Sequence, residues 1–334
     1  MSITIKDIAR MLNVSHTTVS RALNDSPLIS KETKARVKET ARKYNYVPNV
    51  NARRLVTSKS YNIGLFFTTI NKGTTANFFM DTIKGVNSII EDKYSLSVEG
   101  IDNFHGFSKI TKRQFDGIIL MSQSSKDDHF IKHVIDQEIP LILLNRETEI
   151  PNIITVLSDD KVGAYKATEY LIQNGHREIG LIEGKAEFRT TQRREEGFLM
   201  ALTDYGLESN PDWIVNGNYD LEGGYNAMRK LLVQQDLPTA IFSSNDDMAV
   251  GAMKAISELK LIIPDDISII GFDDSMYAAY LSPALTTIKR PITDISAVGA
   301  DLLLEKMTDI ENDQPLLNYI KTELILRESV KKIF

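Results

Sequence analysis

Between residues 4 and 23 the apolar positions fall on two short helical stripes separated by a turn. In TIKDIARML, Ile5, Ile8, Ala9 and Leu12 share one side, and Thr4 with Asp7 forms a capping pattern ahead of them. In the following SHTTVSRAL, Ser15 stands as N-cap. At about 100° per residue, Val19, Ala22 and Leu23 gather on one arc, while His16, Ser20, Thr17 and Arg21 occupy the opposite one. Residues 30 to 44 read as a third helix with Val37 and Ala41 inward. The pattern predicts a helix-turn-helix whose second helix offers a polar face suited to base edges. Beyond it, YVPN at 46–49 is extended or turned, because a residue before proline disfavours the α region. Residues 50–56 supply one or two helical turns, too short to hold alone in water, and so predict a conditional hinge.

From Asn62 onward the period changes. Short apolar runs (IGLFFTT, YSLSVEG, DGIILMS, PLILLN, NIITVLS, then EIGLIEG, DWIVNG, TAIFSS, ISIIGFD) alternate with amphipathic stretches at 78–90, 130–137, 163–173, 193–205, 224–233 and 248–259. Nearly continuous apolar strands are buried on both faces, which predicts parallel sheets covered by helices. Two blocks of similar length predict two doubly wound lobes, with ligand groups at the carboxyl ends of the strands. Those ends read Phe67-Thr68-Thr69, Leu144-Asn145-Arg146, Ser244-Asn245-Asp246 and Phe272-Asp273-Asp274. The stretch from Tyr94 to Leu120 leaves little room for a helix between its two strands.

Charge separates the two parts. Residues 1–60 carry twelve Lys or Arg against four Asp or Glu, a balance of +8; the whole chain is −6, so the remainder is −14. The basic end is the one suited to phosphate, and the acidic remainder should avoid it. With 334 residues the chain supports two or three domains. No apolar run approaches the roughly 18 residues needed to span a bilayer, and the amino terminus lacks a secretory leader pattern, so a cytoplasmic protein without membrane contact is expected. Cysteine is absent, which excludes disulfides and thiolate metal sites.

Enzymatic signatures are missing: there is no GxGxxG after a first strand, no Walker loop, no GxSxG elbow and no HExxH. Neither catalytic residues, a metal nor a cofactor is expected. His129 and His133 have the spacing of a metal pair, but a solvated helix face is the stronger reading. His176, after a helix-ending glycine, reads as structural. Two classes stay open: a dimeric ligand-controlled repressor, and a solute-binding or enzymatic α/β protein with a basic accessory head.

The chain resembles the LacI/GalR family of bacterial transcriptional repressors over essentially its full length. The resemblance rests on TIKDIA, NVSHTTVSRALN and YVPNVNARRL in the first sixty residues. In the body it rests on GAYKATEYLIQNGHREIGLIEG, RREEGF, SSNDDMAVGAMKAI, IPDDISIIGFDD and SPALTTIKRP. It implies an α/β protein with an all-α helix-turn-helix head at 1–48, a hinge at 49–60 and a two-lobed core at 61–334 like periplasmic binding proteins. Three crossovers would divide that core into about 61–160 with 290–318, and about 161–289 with 319–334. It also implies a homodimer on a pseudo-palindromic operator, controlled by a small effector, a sugar or alternatively a purine-like or phosphocarrier-protein corepressor. No leucine-heptad tail points to a tetramer.

By the same resemblance His16, Thr17 and Arg21 would read the major groove, and Ser15, Thr18, Ser20 and Asn24 would touch phosphates. Leu55 would wedge into the minor groove beside Arg53. In the core, Arg194, Asn245 and Asp273 would make polar effector contacts, with Tyr219 stacking on the ligand and Phe67, Thr68 and Phe79 lining the other lobe. Read without the resemblance, Leu55, Tyr219 and the two phenylalanines are packing residues. Asn145 stands where the family often has Asp, which alters the hydrogen-bond code expected of the pocket.

Overall fold

The computed structural model describes residues 3–23, 26–44, 46, 59–70, 74–308 and 315–333. It divides into two compact units, residues 1–60 and 61–334.

The first unit is a three-helix head: α1 (Ile5–Leu12), α2 (His16–Leu23) and α3 (Lys31–Lys43). Its boundaries follow from capping chemistry. Thr4 and Asp7 form a reciprocal capping box on α1, and Asn13 ends that helix in the left-handed region at φ 52°, opening the turn. Ser15 accepts the Thr18 amide at 3.0 Å, and Ser30 accepts the Thr33 amide at 3.2 Å. The three apolar stripes meet in one small core of Ile8, Ala9, Val19, Ala22, Val37 and Ala41.

The second unit carries two six-stranded sheets. The first contains β1 (Asn62–Phe67), β2 (Ser95–Gly100), β3 (Gly117–Met121), β4 (Leu141–Leu144), β5 (Ile154–Ser158) and β11 (Leu317–Ile320), in the order β11-β5-β4-β3-β1-β2, all parallel. The second contains β6 (Ile179–Glu183), β7 (Ile214–Asn216), β8 (Ala240–Ser243), β9 (Ser268–Asp273), β10 (Thr286–Lys289) and β12 (Glu323–Ile325), in the order β12-β10-β9-β8-β6-β7. Only β12 runs antiparallel to its neighbour. The chain therefore passes between lobes after β5, after β10 and after β11. The last crossing follows Ile320, slightly beyond the switch expected near 318, because Tyr319 and Ile320 complete the pairing with Leu157 and Ser158.

Side-chain alternation along the strands feeds two helical layers per sheet. In the first lobe Leu65, Phe67, Ile119 and Leu144 pack under α4 (Ala76–Ile90) and α10 (Ile292–Lys306). On the other face Phe66, Leu120 and Leu143 pack on α5 (Asp128–Asp136) and on the connection from β2 to β3. That connection has no α-helix: its Phe104 and Phe115 meet Phe66 with ring centroids 6.1 and 5.6 Å away, so aromatic side chains cover the sheet there. The second lobe is sandwiched between α6 (Asp160–Gln173) with α7 (Arg189–Asp204), and α8 (Leu221–Leu232) with α9 (Asp246–Glu258). A Cβ at Gly197 of α7 would lie 2.2 Å from the Lys161 carbonyl oxygen of α6. Only glycine permits that approach, which seats the helix bearing Arg194 against its neighbour.

Candidate functional sites

On the head, the exposed side chains of α2 are His16, Thr17 and Arg21, while Thr18 and Ser20 are half-buried at its edge. The polar arc is open because Val19 and Ala22, wholly buried, hold the opposite arc. Ser15 Oγ lies 2.6 Å from Thr17 Oγ1 and 2.8 Å from Thr18 Oγ1, so three hydroxyls cluster at the helix start. Asn24, Arg53 and Leu55, and the hinge at 49–58, lie outside the described residues.

In the core, the carboxyl ends of strands from both sheets converge on a cleft of about 340 Å3 counting its open mouth. From the second lobe Arg194, Tyr219, Asn245 and Asp273 line it together with Phe188 and Thr190. From the first lobe come Asn145, Thr75, Phe78 and Gln123, and Arg290 enters from the crossover after β10. Four expected residues of the second lobe and Asn145 thus meet in one place. The remaining first-lobe lining differs from expectation. Phe67 is wholly buried beneath α4, with Phe79 packed 5.1 Å from it, and neither lines the cleft. Thr68 is engaged elsewhere, donating to Asp127 Oδ2 at 2.5 Å and accepting the Gln123 amide at 2.7 Å. Phe78 takes the role because α4 begins at the cleft: Thr75 caps it by accepting the Phe78 amide at 3.2 Å, so its first turn lies at the opening.

Arg194 organises the second-lobe side. Its guanidinium is buried at 2% exposure, lies 3.7 Å from the Phe272 ring centroid, and donates to the Ser244 carbonyl and to Asp160 Oδ1 at 3.3 Å. Asp273 Oδ1 stands 3.6 Å from Arg194 Nη2. Two buried atoms at this point, Arg194 Nε and Asp273 Oδ1, have no hydrogen-bond partner. An unmatched buried polar atom costs about 1–3 kcal/mol, and a donor beside an acceptor is the arrangement that a ligand hydroxyl satisfies. Burial works against the charge of Arg194, yet Asp160, Tyr219 and Asp273 hold its pKa above the ordinary value.

Asn245 is first a helix cap: its Oδ1 accepts the Met248 amide at 2.9 Å, leaving only its amide nitrogen, 3.4 Å from the Tyr219 carbonyl. Tyr219 sits at φ 65°, 6.0 Å from Phe188 in a stacked pair, with its hydroxyl accepting from Thr191 at 2.9 Å. A Cβ on Gly184 would fall 2.0 Å from the Tyr219 ring, so the glycine ending EIGLIEG makes room for that ring.

Sequence reasoning missed Arg290 and Asp160. Arg290 donates to Ser158 Oγ at 2.8 Å and to Asn145 Oδ1, and its Nε lies 3.4 Å from Asp160 Oδ1. The signal was available in SPALTTIKRP, where a cationic pair ends a strand, but Lys289 is exposed and Arg290 buried, a choice made by the register of β10. A further bridge holds the lobes: Arg193 grips Glu147 through contacts of 2.7 and 2.8 Å, with the Tyr319 hydroxyl donating to the same carboxylate.

Burial raises Asp273 to about 6 although Arg194 and Arg290 pull it down. Between the ordinary 3.8 and about 6 the folded protein keeps a proton that the unfolded chain releases. The contribution of this group to stability is therefore full below 3.8 and is lost as pH rises through about 6. The unfolding free energy of the wild type minus that of Asp273→Asn should fall by about 2 kcal/mol between pH ~4 and pH ~7. Urea titrations across that range measure it; a flat difference would show an ordinary carboxylate.

His133 Nε2 bonds the Ile110 carbonyl at 3.0 Å, and among the described residues no group of three His, Cys, Asp or Glu is placed to hold an ion. His176 is buried between Thr239 Oγ1 at 3.0 Å and the Lys331 carbonyl at 3.1 Å, and burial lowers its pKa. No helix among the described residues is long and apolar enough to cross a membrane.

A polar-faced helix-turn-helix and a two-lobed core with a polar cleft define a DNA-binding regulator with an effector-binding domain. Residues 4–49 match the model for bacterial regulatory proteins of the lacI family, and residues 168–330 match a periplasmic binding protein-like domain. The chain is 48% identical over 332 residues to the probable HTH-type transcriptional repressor ExuR of Bacillus subtilis (strain 168), covering 99% of each chain. It is 34% identical over 336 residues to the HTH-type transcriptional repressor PurR of Pasteurella multocida (strain Pm70), covering 98% of each. A solved complex of the transcriptional regulator CelR with cellobiose aligns at TM-score 0.75 and 25% identity, over 98% of this chain and 99% of that one. The chain belongs to the lacI family of bacterial regulatory proteins and is a transcriptional repressor of that family.

Proposed function

We propose that this repressor acts as a homodimer on a pseudo-palindromic operator and that a small sugar in the interlobe cleft controls its grip. His16, Thr17 and Arg21 read bases, which their exposure on α2 supports; Ser15, exposed ahead of the helix, and Thr18 and Ser20, half-buried at its edge, contact phosphates. Asn24, Arg53 and Leu55 extend the DNA surface as the family resemblance implies. Arg194, Asp273, Asn245, Tyr219 and Asn145 hold the effector. The observation that carries the reading is the pair of unmatched buried atoms, Arg194 Nε and Asp273 Oδ1, beside the stacked aromatics Phe188 and Tyr219. Hydroxyls at the edge of a flat ring match that arrangement, and the bound cellobiose of the CelR complex is a ligand of the same chemical kind.

Ligand in the cleft shifts the population of lobe orientations, and the coupling is reciprocal: ligand weakens operator binding by the factor by which operator weakens ligand binding. The test is fluorescence anisotropy with a symmetric promoter duplex and a random duplex, over a salt series, with and without sugars and purine bases. The expected result is salt-sensitive preference for the symmetric duplex, reversed by a sugar. Equal binding to both duplexes under all conditions would refute the operator reading, and release by a purine alone would replace the sugar.

A further inference from the structure

Two neighbours on α7 face different ways. Arg194 turns into its own lobe, toward the Ser244 carbonyl and Asp160, and lines the effector cleft. Arg193, about 100° away round the helix, leaves the cleft and reaches the first lobe, where its Nη2 lies 2.7 and 2.8 Å from the two carboxylate oxygens of Glu147. Each end of this bridge is anchored in its own lobe. Glu147 follows the end of β4, and the buried Arg146 before it donates to the Glu147 carbonyl at 3.0 Å, to Ser122 Oγ at 2.7 Å and to Asp128. Tyr319 of β11 donates to Glu147 Oε1 and fixes the carboxylate. On the other side Glu196, one turn along α7, holds Arg193 Nη1 at 3.0 Å.

Arg193 and Glu147 are 30% and 27% exposed, whereas Lys126 and Glu187, also from opposite lobes, stand 4.0 Å apart at 77% and 54% exposure. A solvated pair at that distance contributes little; a half-buried one with close charge-assisted contacts contributes more. Burial opposes the charge of Glu147, yet the Tyr319 hydroxyl and Arg193 hold its pKa below the ordinary value. Glu147, Arg193 and Tyr319 border a second cavity, about 610 Å3 counting its open mouth, which Asn145 and Thr190 share with the effector cleft. The bridge thus stands two positions from Asn145 on one side and next to Arg194 on the other, outside the space that the ligand fills.

We propose that the Glu147–Arg193 bridge, completed by Tyr319, is a latch that favours the approach of the two lobes and so sets operator affinity before any ligand arrives. This rests on the reading that ligand in the cleft weakens the grip on operator. The cleft is lined from both lobes, so ligand favours the same approach that the bridge does. Bridge and ligand act in one direction, and the strength of the bridge decides how much of the response is left for the ligand.

The test uses the full-length chain and needs no identified ligand. The chain has no cysteine, so Lys132→Cys on α5 and Lys230→Cys on α8, both at exposed positions, place one spin label on each lobe. Dilution with unlabelled protein restricts the measured distance to one chain. Glu147→Gln and Arg193→Gln should each widen the distribution of interlobe distances, with melting temperatures close to that of the wild type. By anisotropy, each should tighten ligand-free binding to the symmetric promoter duplex about twofold to tenfold. The double variant should do no more than either single one. Arg193→Lys should keep most of the wild-type behaviour, and Lys126→Gln should match the wild type. Wild-type distances in both Gln variants would overturn the latch and leave ligand-controlled repression standing. Widened distances with unchanged or weaker operator binding would overturn the control assigned to it, and an equal shift in Lys126→Gln would overturn it as a general effect of charge. Wild-type protein that binds symmetric and random duplexes alike would remove the operator reading beneath the proposal.

Discussion

Replacing Arg194 by alanine is expected to abolish the effector response while operator affinity in the absence of ligand stays within about threefold of the wild type. The guanidinium supplies donors from a side chain only 2% exposed, and truncating one partner of a buried hydrogen-bonded charge pair costs about 2–5 kcal/mol or more, which is roughly 30-fold to several thousandfold in effector affinity. The same truncation strands Asp160 and Asp273, so the core should also lose stability, by up to about 3–5 kcal/mol. Arg194→Lys separates the two effects. A lysine keeps the charge that Asp160 and Asp273 require, but it lacks the planar fork that stacks on Phe272 and reaches both Ser244 and Asp160. It should fold nearly normally and still ignore the effector. Anisotropy with operator and increasing sugar, read beside melting curves of both variants, checks this. Normal ligand release of operator from Arg194→Lys would place the effector elsewhere.

The second large effect is expected on DNA. Arg21→Ala should weaken operator binding by about one to two orders of magnitude, the 1–3 kcal/mol of a bidentate arginine–guanine contact. Because Arg21 is exposed and the head is held by Val19 and Ala22 beside it, its removal should leave the melting temperature unchanged. Affinity for random duplex should fall far less. Specificity should relax at one base-pair position of each half-site, which operators carrying single substitutions will identify. A uniform loss on every duplex, with a salt slope reduced by about one, would instead assign Arg21 to a phosphate.

The second-lobe part of the cleft could be read in advance because it lies at strand ends, where an apolar run stops abruptly at polar residues: Ser244-Asn245 after β8, and Asp273 as the last residue of β9. Helix ends were equally legible, since a cap is a local bond between residues three apart, as in Thr4 with Asp7 and Ser15 with Thr18. The first-lobe lining was not. Phe78 and Phe79 are neighbours about 100° apart on one helix, and which faces the cleft depends on how α4 is rotated against β1. No property of either residue distinguishes them. Thr68 looked free because its partner, Asp127, is 59 positions away.

From the order of its residues alone, this protein is a basic three-helix head on an acidic core of two parallel-sheet lobes, because helix and strand periods, caps and charge are local or additive properties. Tertiary structure decided which polar groups confront one another across the cleft. Arg290, Asn145 and Asp160 come from separate crossovers and strand ends, so their meeting depends on the three passages between sheets, and burial then gives each buried charge a significance that it would lack in water.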